Sequence, residues 1–212
     1  VIVIDALRAS TTAAFALAQG AVEIRCVGTV EEALALKAAN PNSLTMGEID
    51  GYPIPEFDLD NSPTRMTRAN VAGKTLIQRT TAGTQGLIRA ANAEVLLASS
   101  LVVASATTRA ITASQLNHVS FIVTGITPDG RGDEDTLCAE VIRDQLLNRP
   151  TPCRSDLYAR ILASKNGQRF ADPENTVFPL SDVELAAEID RFPFAIHAEP
   201  QPDGSVRLTK KE

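Results

Sequence analysis

Short apolar runs alternate with Ala/Leu-rich, helix-patterned segments through most of this chain. Strict alternation of strand and helix patterns leads to a mostly parallel sheet with helices on both faces. The runs are apolar throughout, as in strands covered on both sides. The expected fold is therefore α/β, a three-layer α/β/α sandwich. Strands are predicted at 1–5, 22–27, 43–46, 74–79, 94–98 and 119–124. Helices are predicted at 10–19, from Thr29 to about Asn40, from about Thr84, after Ser100 and at 134–147. Ser10 is expected near the first N-cap, with Gly20 as that helix's stop. Thr29 and Glu32 have capping-box spacing, Ser62-Pro63 reads as a helix start, and Ser99 and Ser100 are expected to cap the helix that follows them.

After Arg149-Pro150 the pattern changes. Two helices, 155–164 and 181–189, precede a hairpin turning at Pro202-Asp203-Gly204. Residues 1–212 are read as a single domain, with 150–212 as a helix-and-hairpin extension that either widens or covers the sheet. Val1 already lies inside a strand pattern, so a few preceding residues are expected.

Composition excludes several classes. Net charge is −6 with a pI near 5.0, and aromatics are only 4% with no Trp. A basic nucleic-acid footprint and a base-stacking platform are both missing. No run approaches the ~18 apolar residues of a spanning helix. Cys26, Cys138 and Cys153 have no paired spacing, which fits a reducing, cytoplasmic compartment.

Four polar clusters follow strands: 5–12, Gly47-Glu48, 80–86 and 127–135. In an open α/β sheet, ligands bind beyond the carboxyl ends of the strands. The clusters should thus converge on one site, suited to a metal-assisted reaction on a small phosphorylated anion. Asp5 can hold a hard cation such as Mg²⁺. Arg8 can make bidentate anion contacts, and Ser10 and Thr11 open a helix whose N-terminus can receive phosphate. Arg79, Thr80, Thr81, Gly83 and Thr84 form a second phosphate-cradle candidate. In the loop 47–63, Glu48 and Asp58 are the preferred metal ligands or general base. Glu134 or Asp135 is a further ligand or base, against the plainer reading that acids stabilise a helix N-terminus. Arg131 would add positive charge.

Other chemistries lack their patterns. The P-loop and G-x-G-x-x-G are missing, no C-x5-R follows a cysteine, and Leu7 stands where an Asp-x-Asp phosphoaspartyl motif needs a second acid. His118 and His197 read as structural. The same crevice would also suit a non-catalytic sensor of an anionic metabolite.

In this order, DALRASTT (5–12), Gly47-Glu48, FDLDNSP (57–63), TTAGTQG (80–86) and GDEDTLCAE (132–140) resemble the 2-phosphosulfolactate phosphatase family over roughly residues 1–145. The resemblance implies a three-layer fold and Mg²⁺-dependent hydrolysis of 2-phospho-3-sulfolactate to 3-sulfolactate and phosphate, an early step toward coenzyme M. It implies Asp5, Glu48 and Asp135 near the metal, and Arg8, Ser10, Thr11, Thr81, Gly83 and Thr84 around the phosphate. Asn61, Ser62 and Arg79 would hold the carboxylate or sulfonate end. A water activated by the metal is the default nucleophile. The expected partner is a small anionic phosphorylated substrate, with neither nucleic acid nor membrane, and a homodimer is left open.

Overall fold

The computed structural model describes residues 1–125 and 132–212. The expected cluster at 127–131, with Arg131, lies outside the described residues. Among the described residues ten strands form one sheet: β1 (Ile2–Ile4), β2 (Glu23–Cys26), β3 (Leu44–Ile49), β4 (Tyr52–Pro53), β5 (Leu59–Asp60), β6 (Thr75–Arg79), β7 (Leu97–Ser99), β8 (Phe121–Val123), β9 (Ala195–Pro200) and β10 (Val206–Lys211). The helices are α1 (Ala9–Ala18), α2 (Val30–Ala39), α3 (Pro63–Met66), α4 (Gly83–Arg89), α5 (Ala104–Ser114), α6 (Asp133–Leu146), α7 (Arg154–Ala163) and α8 (Leu180–Ala186).

The sheet order is β4-β3-β6-β2-β10-β9-β7-β1-β8, with β5 beside β3. Strands β3, β6 and β2 form one parallel set, and β7, β1 and β8 another. The β9–β10 hairpin stands between them, antiparallel to β2 on one side and β7 on the other. The C-terminal hairpin therefore joins two parallel half-sheets. Its turn forms where Pro-Asp-Gly predicts it, with Gly204 at φ 83°.

Alternation along single strands explains the three layers. On β1, Val3 packs into one apolar cluster with α1, while Ile2 and Ile4 enter a second with α6 and α7. On β7, Ala98 and Leu97 divide the same way, and on β6, Leu76 and Ile77 face opposite clusters. Burying one such Leu or Ile is worth roughly 1.5–3 kcal/mol. Truncation of the fully buried Ile4 to Ala would leave a cavity costing ~2–5 kcal/mol.

Helix α1 is buried from Ala9 to Leu17 on every side, as a core helix is. Its N-cap is Arg8, without a side-chain cap, and Ser10 lies inside the first turn. This corrects the expected Ser10 cap. The carboxylate of Asp5 accepts from Ala9 N at 2.8 Å instead, satisfying one of the donors left open at a helix start. Gly20 follows the helix at φ 93° as expected. The Thr29–Glu32 capping box is present, and Ser62 caps α3 with Pro63 at N1. Ser99 and Ser100 do not cap α5, because a short 3-10 turn, Leu101–Val103, intervenes. No described helix is long and apolar enough to cross a membrane.

Candidate active site

A crevice of about 230 Å³ opens beyond the ends of β1, β3, β6 and β8. It is smaller than the ~300–1,000 Å³ of drug-sized sites and so suits a small metabolite. Asp5, Glu48, Glu134 and Asp135 all line it, and all four are buried.

Each acid is fixed by its own framework. Asp5 closes β1 and is clamped to α1 through Ala9 N. Gly83 opens α4 against it, where an added Cβ would stand 2.7 Å from Asp5 Oδ2. Glu48 sits at the end of β3, not in the loop after it. Its Oε1 accepts from Thr81 N at 2.6 Å, and its Oε2 accepts from Thr81 Oγ1 at 3.1 Å and from Gly51 N. Gly47 before it is needed for sheet pairing, because a Cβ there would fall 1.9 Å from the Arg79 carbonyl oxygen. Asp135 Oδ1 accepts from Ala6 N at 2.6 Å, and Oδ2 from Thr124 Oγ1 at 3.3 Å. Glu134 Oε1 accepts from Asn166 Nδ2 at 2.6 Å, whereas its buried Oε2 has no hydrogen-bond partner among the described residues.

Like charge is concentrated here. Burial, then the charges of Glu48 and Glu134, push the Asp5 carboxyl up to about 6, against the Ala9 and Gly83 amides. Burial, then Asp5 and Glu134, raise Asp135 well above the usual carboxylate range. Among the described residues two guanidiniums also line the crevice. Arg8 Nη1 donates to Asp182 Oδ2 at 3.0 Å and to the Val177 carbonyl at 3.0 Å. Its Nη2 donates to the Gly51 carbonyl at 2.8 Å, and the group lies over the rings of Phe170 and Phe178. Arg8 does not pair with Asp5. Arg169 is the second guanidinium, and Asn166, Phe170 and Phe178 complete that wall.

The family model described as 2-phosphosulpholactate phosphatase matches residues 1–196. The chain belongs to that family. A Bacillus subtilis (strain 168) protein named "Probable 2-phosphosulfolactate phosphatase" is 35% identical over 182 residues, 86% of this chain and 79% of that one. Proteins of the same name from Deinococcus radiodurans and Symbiobacterium thermophilum are 40% and 36% identical. Those matches cover 69% of this chain and 61% of the first relative, and 81% and 75% for the second.

The other residues expected in the site fall in different places. Asn61 and Thr81 line the crevice. Asp58 does not. It is exposed, ion-paired to Lys37, and accepts from Thr45 N at 2.7 Å and Thr45 Oγ1 at 2.9 Å. This corrects the expectation that its apolar neighbours turn it inward. Burial alone would raise the Asp58 carboxyl, but the Lys37 and Thr45 bonds together hold it lower. Thr11 spends its hydroxyl on the Ala6 carbonyl at 2.6 Å, a local bond that a buried helical threonine favours. Ser10 is buried beside it and does not reach the crevice. Thr80 and Thr84 cap each other: Thr80 N donates to Thr84 Oγ1, and Thr84 N to Thr80 Oγ1. Ser62 donates to Asp182 Oδ1 at 2.7 Å, and Arg79 donates to the Glu48 carbonyl at 2.9 Å. Thr11, Thr80, Thr84, Ser62 and Arg79 hold the walls of the crevice without lining it. Gly83 acts by its lack of a side chain.

The residue set fits a hard divalent cation. Buried oxygen ligands face one space, Glu134 Oε2 lacks a donor among the described residues, and the Asp5 and Asp135 carboxyls hold their protons unusually tightly. Among the described residues no three His, Cys, Asp or Glu side chains are grouped so that together they could hold a metal ion. Mg²⁺ typically binds one or two carboxylates and keeps water and phosphate as its other ligands.

Proposed function

We propose that this chain is a Mg²⁺-dependent phosphatase of a small phosphorylated hydroxy acid, with 2-phospho-3-sulfolactate, the substrate in its relatives' names, as the first candidate. One observation carries the reading: among the described residues, four buried carboxylates share the crevice with two arginines. That arrangement repels a polyanion unless a cation is added, and a divalent ion supplies the missing charge.

Asp5 and Glu134 would hold the ion, with water and the substrate phosphate as its other ligands, and Asp135 and Glu48 line the same crevice. Bound there, the ion supplies Lewis-acid polarisation of the phosphate and lowers the pKa of water at the site. Arg8 is pre-positioned by Asp182 and by the Val177 and Gly51 carbonyls, so it can meet developing phosphate charge without reorganising. Thr81, by holding both oxygens of Glu48, fixes that carboxylate at the crevice edge. The three free cysteines support a cytoplasmic setting, where coenzyme M synthesis would be the pathway served.

Phosphate release from 2-phospho-3-sulfolactate tests this, with and without Mg²⁺, for the wild type and Asp5→Asn. Turnover that needs Mg²⁺ and disappears in Asp5→Asn is the expected result. Turnover unaffected by chelation would remove the metal from the reading. Activity confined to another phosphorylated hydroxy acid would replace the substrate.

A further inference from the structure

Arg169 lies on the 3-10 turn Gly167–Phe170, in a stretch of sequence between α7 and α8 that contains no strand. It lines the crevice and is partly exposed, whereas Asp5, Glu134 and Asp135 are buried. Its Nη2 donates to the Asp50 carbonyl at 2.9 Å. Its guanidinium carbon stands 4.0 Å from the Phe178 ring centroid and 5.8 Å from that of Tyr52. Phe178 is itself braced edge-on by Phe170 at 5.3 Å and Tyr52 at 5.4 Å. The guanidinium is thus held in place by stacking while most of its five N–H donors remain without a protein acceptor among the described residues.

The two arginines of the crevice differ in charge balance. Arg8 is offset by the buried carboxylate of Asp182. Arg169 has no carboxylate partner among the described residues. Uncompensated positive charge at the half-exposed rim calls for an anionic group on whatever binds below it. A planar fork of donors matches an oxyanion better than an ammonium does.

We propose that Arg169 is a specificity-determining residue that receives the acidic group of the substrate farthest from its phosphate. The inference rests on the phosphatase reading above. A carboxylate on the carbon that bears the phosphate stays near the crevice floor. A sulfonate one carbon further reaches the rim. The preferred substrate class is then a phosphate ester with a second strong acid one carbon beyond the ester carbon.

The test compares 2-phospho-3-sulfolactate with 2-phospholactate, which lacks the sulfonate, for the wild type, Arg169→Lys and Arg169→Gln. Losing a charge-assisted hydrogen-bond pair should cost Arg169→Gln about 10- to 100-fold in kcat/KM on the sulfonated ester, chiefly through KM. The loss on 2-phospholactate should stay under about threefold, and Arg169→Lys should fall between. The ratio of the two substrates within one variant cancels any loss of folded protein. Equal losses on both esters would overturn the proposal while leaving the phosphatase reading intact. A wild type inactive on both would sink that reading instead. Calorimetric titration with 3-sulfolactate and with lactate would then decide Arg169: selective weakening toward 3-sulfolactate in Arg169→Gln supports it, and unchanged binding refutes it.

Discussion

Arg8 and Asp182 stand 174 residues apart in the chain and form a 3.0 Å ion pair with side chains 4% and 0% exposed. Asp182 also accepts from Ser62 Oγ at 2.7 Å and Thr64 N at 3.0 Å, so one carboxylate ties α8 to α1 and to the start of α3. Breaking such a pair strands a buried charge, which costs ~3–5 kcal/mol. Asp182→Ala should lower unfolding free energy by that amount in a urea titration. The double variant Arg8→Met/Asp182→Leu should recover much of the stability but none of the activity. A single variant as stable as wild type would show that the pair is open to water.

Asp58 separates structure from chemistry. Its carboxyl is held below the usual range in the folded protein, so it contributes stability above its unfolded pKa of about 3.9 and loses it as pH falls through the lower folded value. Asp58→Asn should therefore destabilise slightly at pH 7, and the difference from wild type should shrink progressively as the pH falls below about 3.9. Its kcat should stay within about twofold of wild type. A large fall in kcat with normal stability would return Asp58 to the site.

Glu134 Oε2 is a buried acceptor without a donor among the described residues. If a cation is its missing partner, Mg²⁺ should raise the melting temperature of the wild type in a concentration-dependent way. Glu134→Gln should weaken that Mg²⁺ affinity by about tenfold or more. An identical thermal shift in both proteins would place the ion elsewhere.

Gly83 tests close packing at the crevice floor. Alanine there would push its Cβ to 2.7 Å from Asp5 Oδ2 and 2.9 Å from Ala9 Cβ. Overpacking of this kind costs ~1–3 kcal/mol, so Gly83→Ala should still fold. Because the displaced group is Asp5, kcat should drop far more than stability, which parallel kinetics and denaturation would reveal. Gly204→Ala, where nothing lies within 4 Å, serves as the control for a glycine strained only by its positive φ.

The half of the site that lies at strand ends was legible in the sequence. Asp5, Glu48, Glu134 and Asp135 stand where polar residues follow apolar runs, and those ends share one edge of the sheet. What sequence leaves open is which way a side chain turns. Thr11 and Asp58 carry suitable groups in suitable places, but a nearby carbonyl claims one and Lys37 and Thr45 the other. The opposite wall had no such signal. Asn166, Arg169, Phe170 and Phe178 follow helix α7 rather than a strand, and Asp182 lies within α8; the contacts of Asp182 with Arg8 and of Arg169 with Asp50 span more than a hundred positions, and that of Asn166 with Glu134 spans 32. The hairpin was readable as a hairpin, yet its seat within the sheet was not, because strand order is set by pairing over distances that local patterns do not record.

That seat also imposes an order on biogenesis. As the chain leaves the ribosome, β2 and β7 emerge early, each with one flank lacking the neighbour it will finally have. Only when residues 195–211 appear can β9 and β10 supply both neighbours at once. Until then the nascent protein is two separate open edges, the kind of surface that recruits other strands. A chain stopped short of Ala195 would thus be exposed to aggregation as well as inactive.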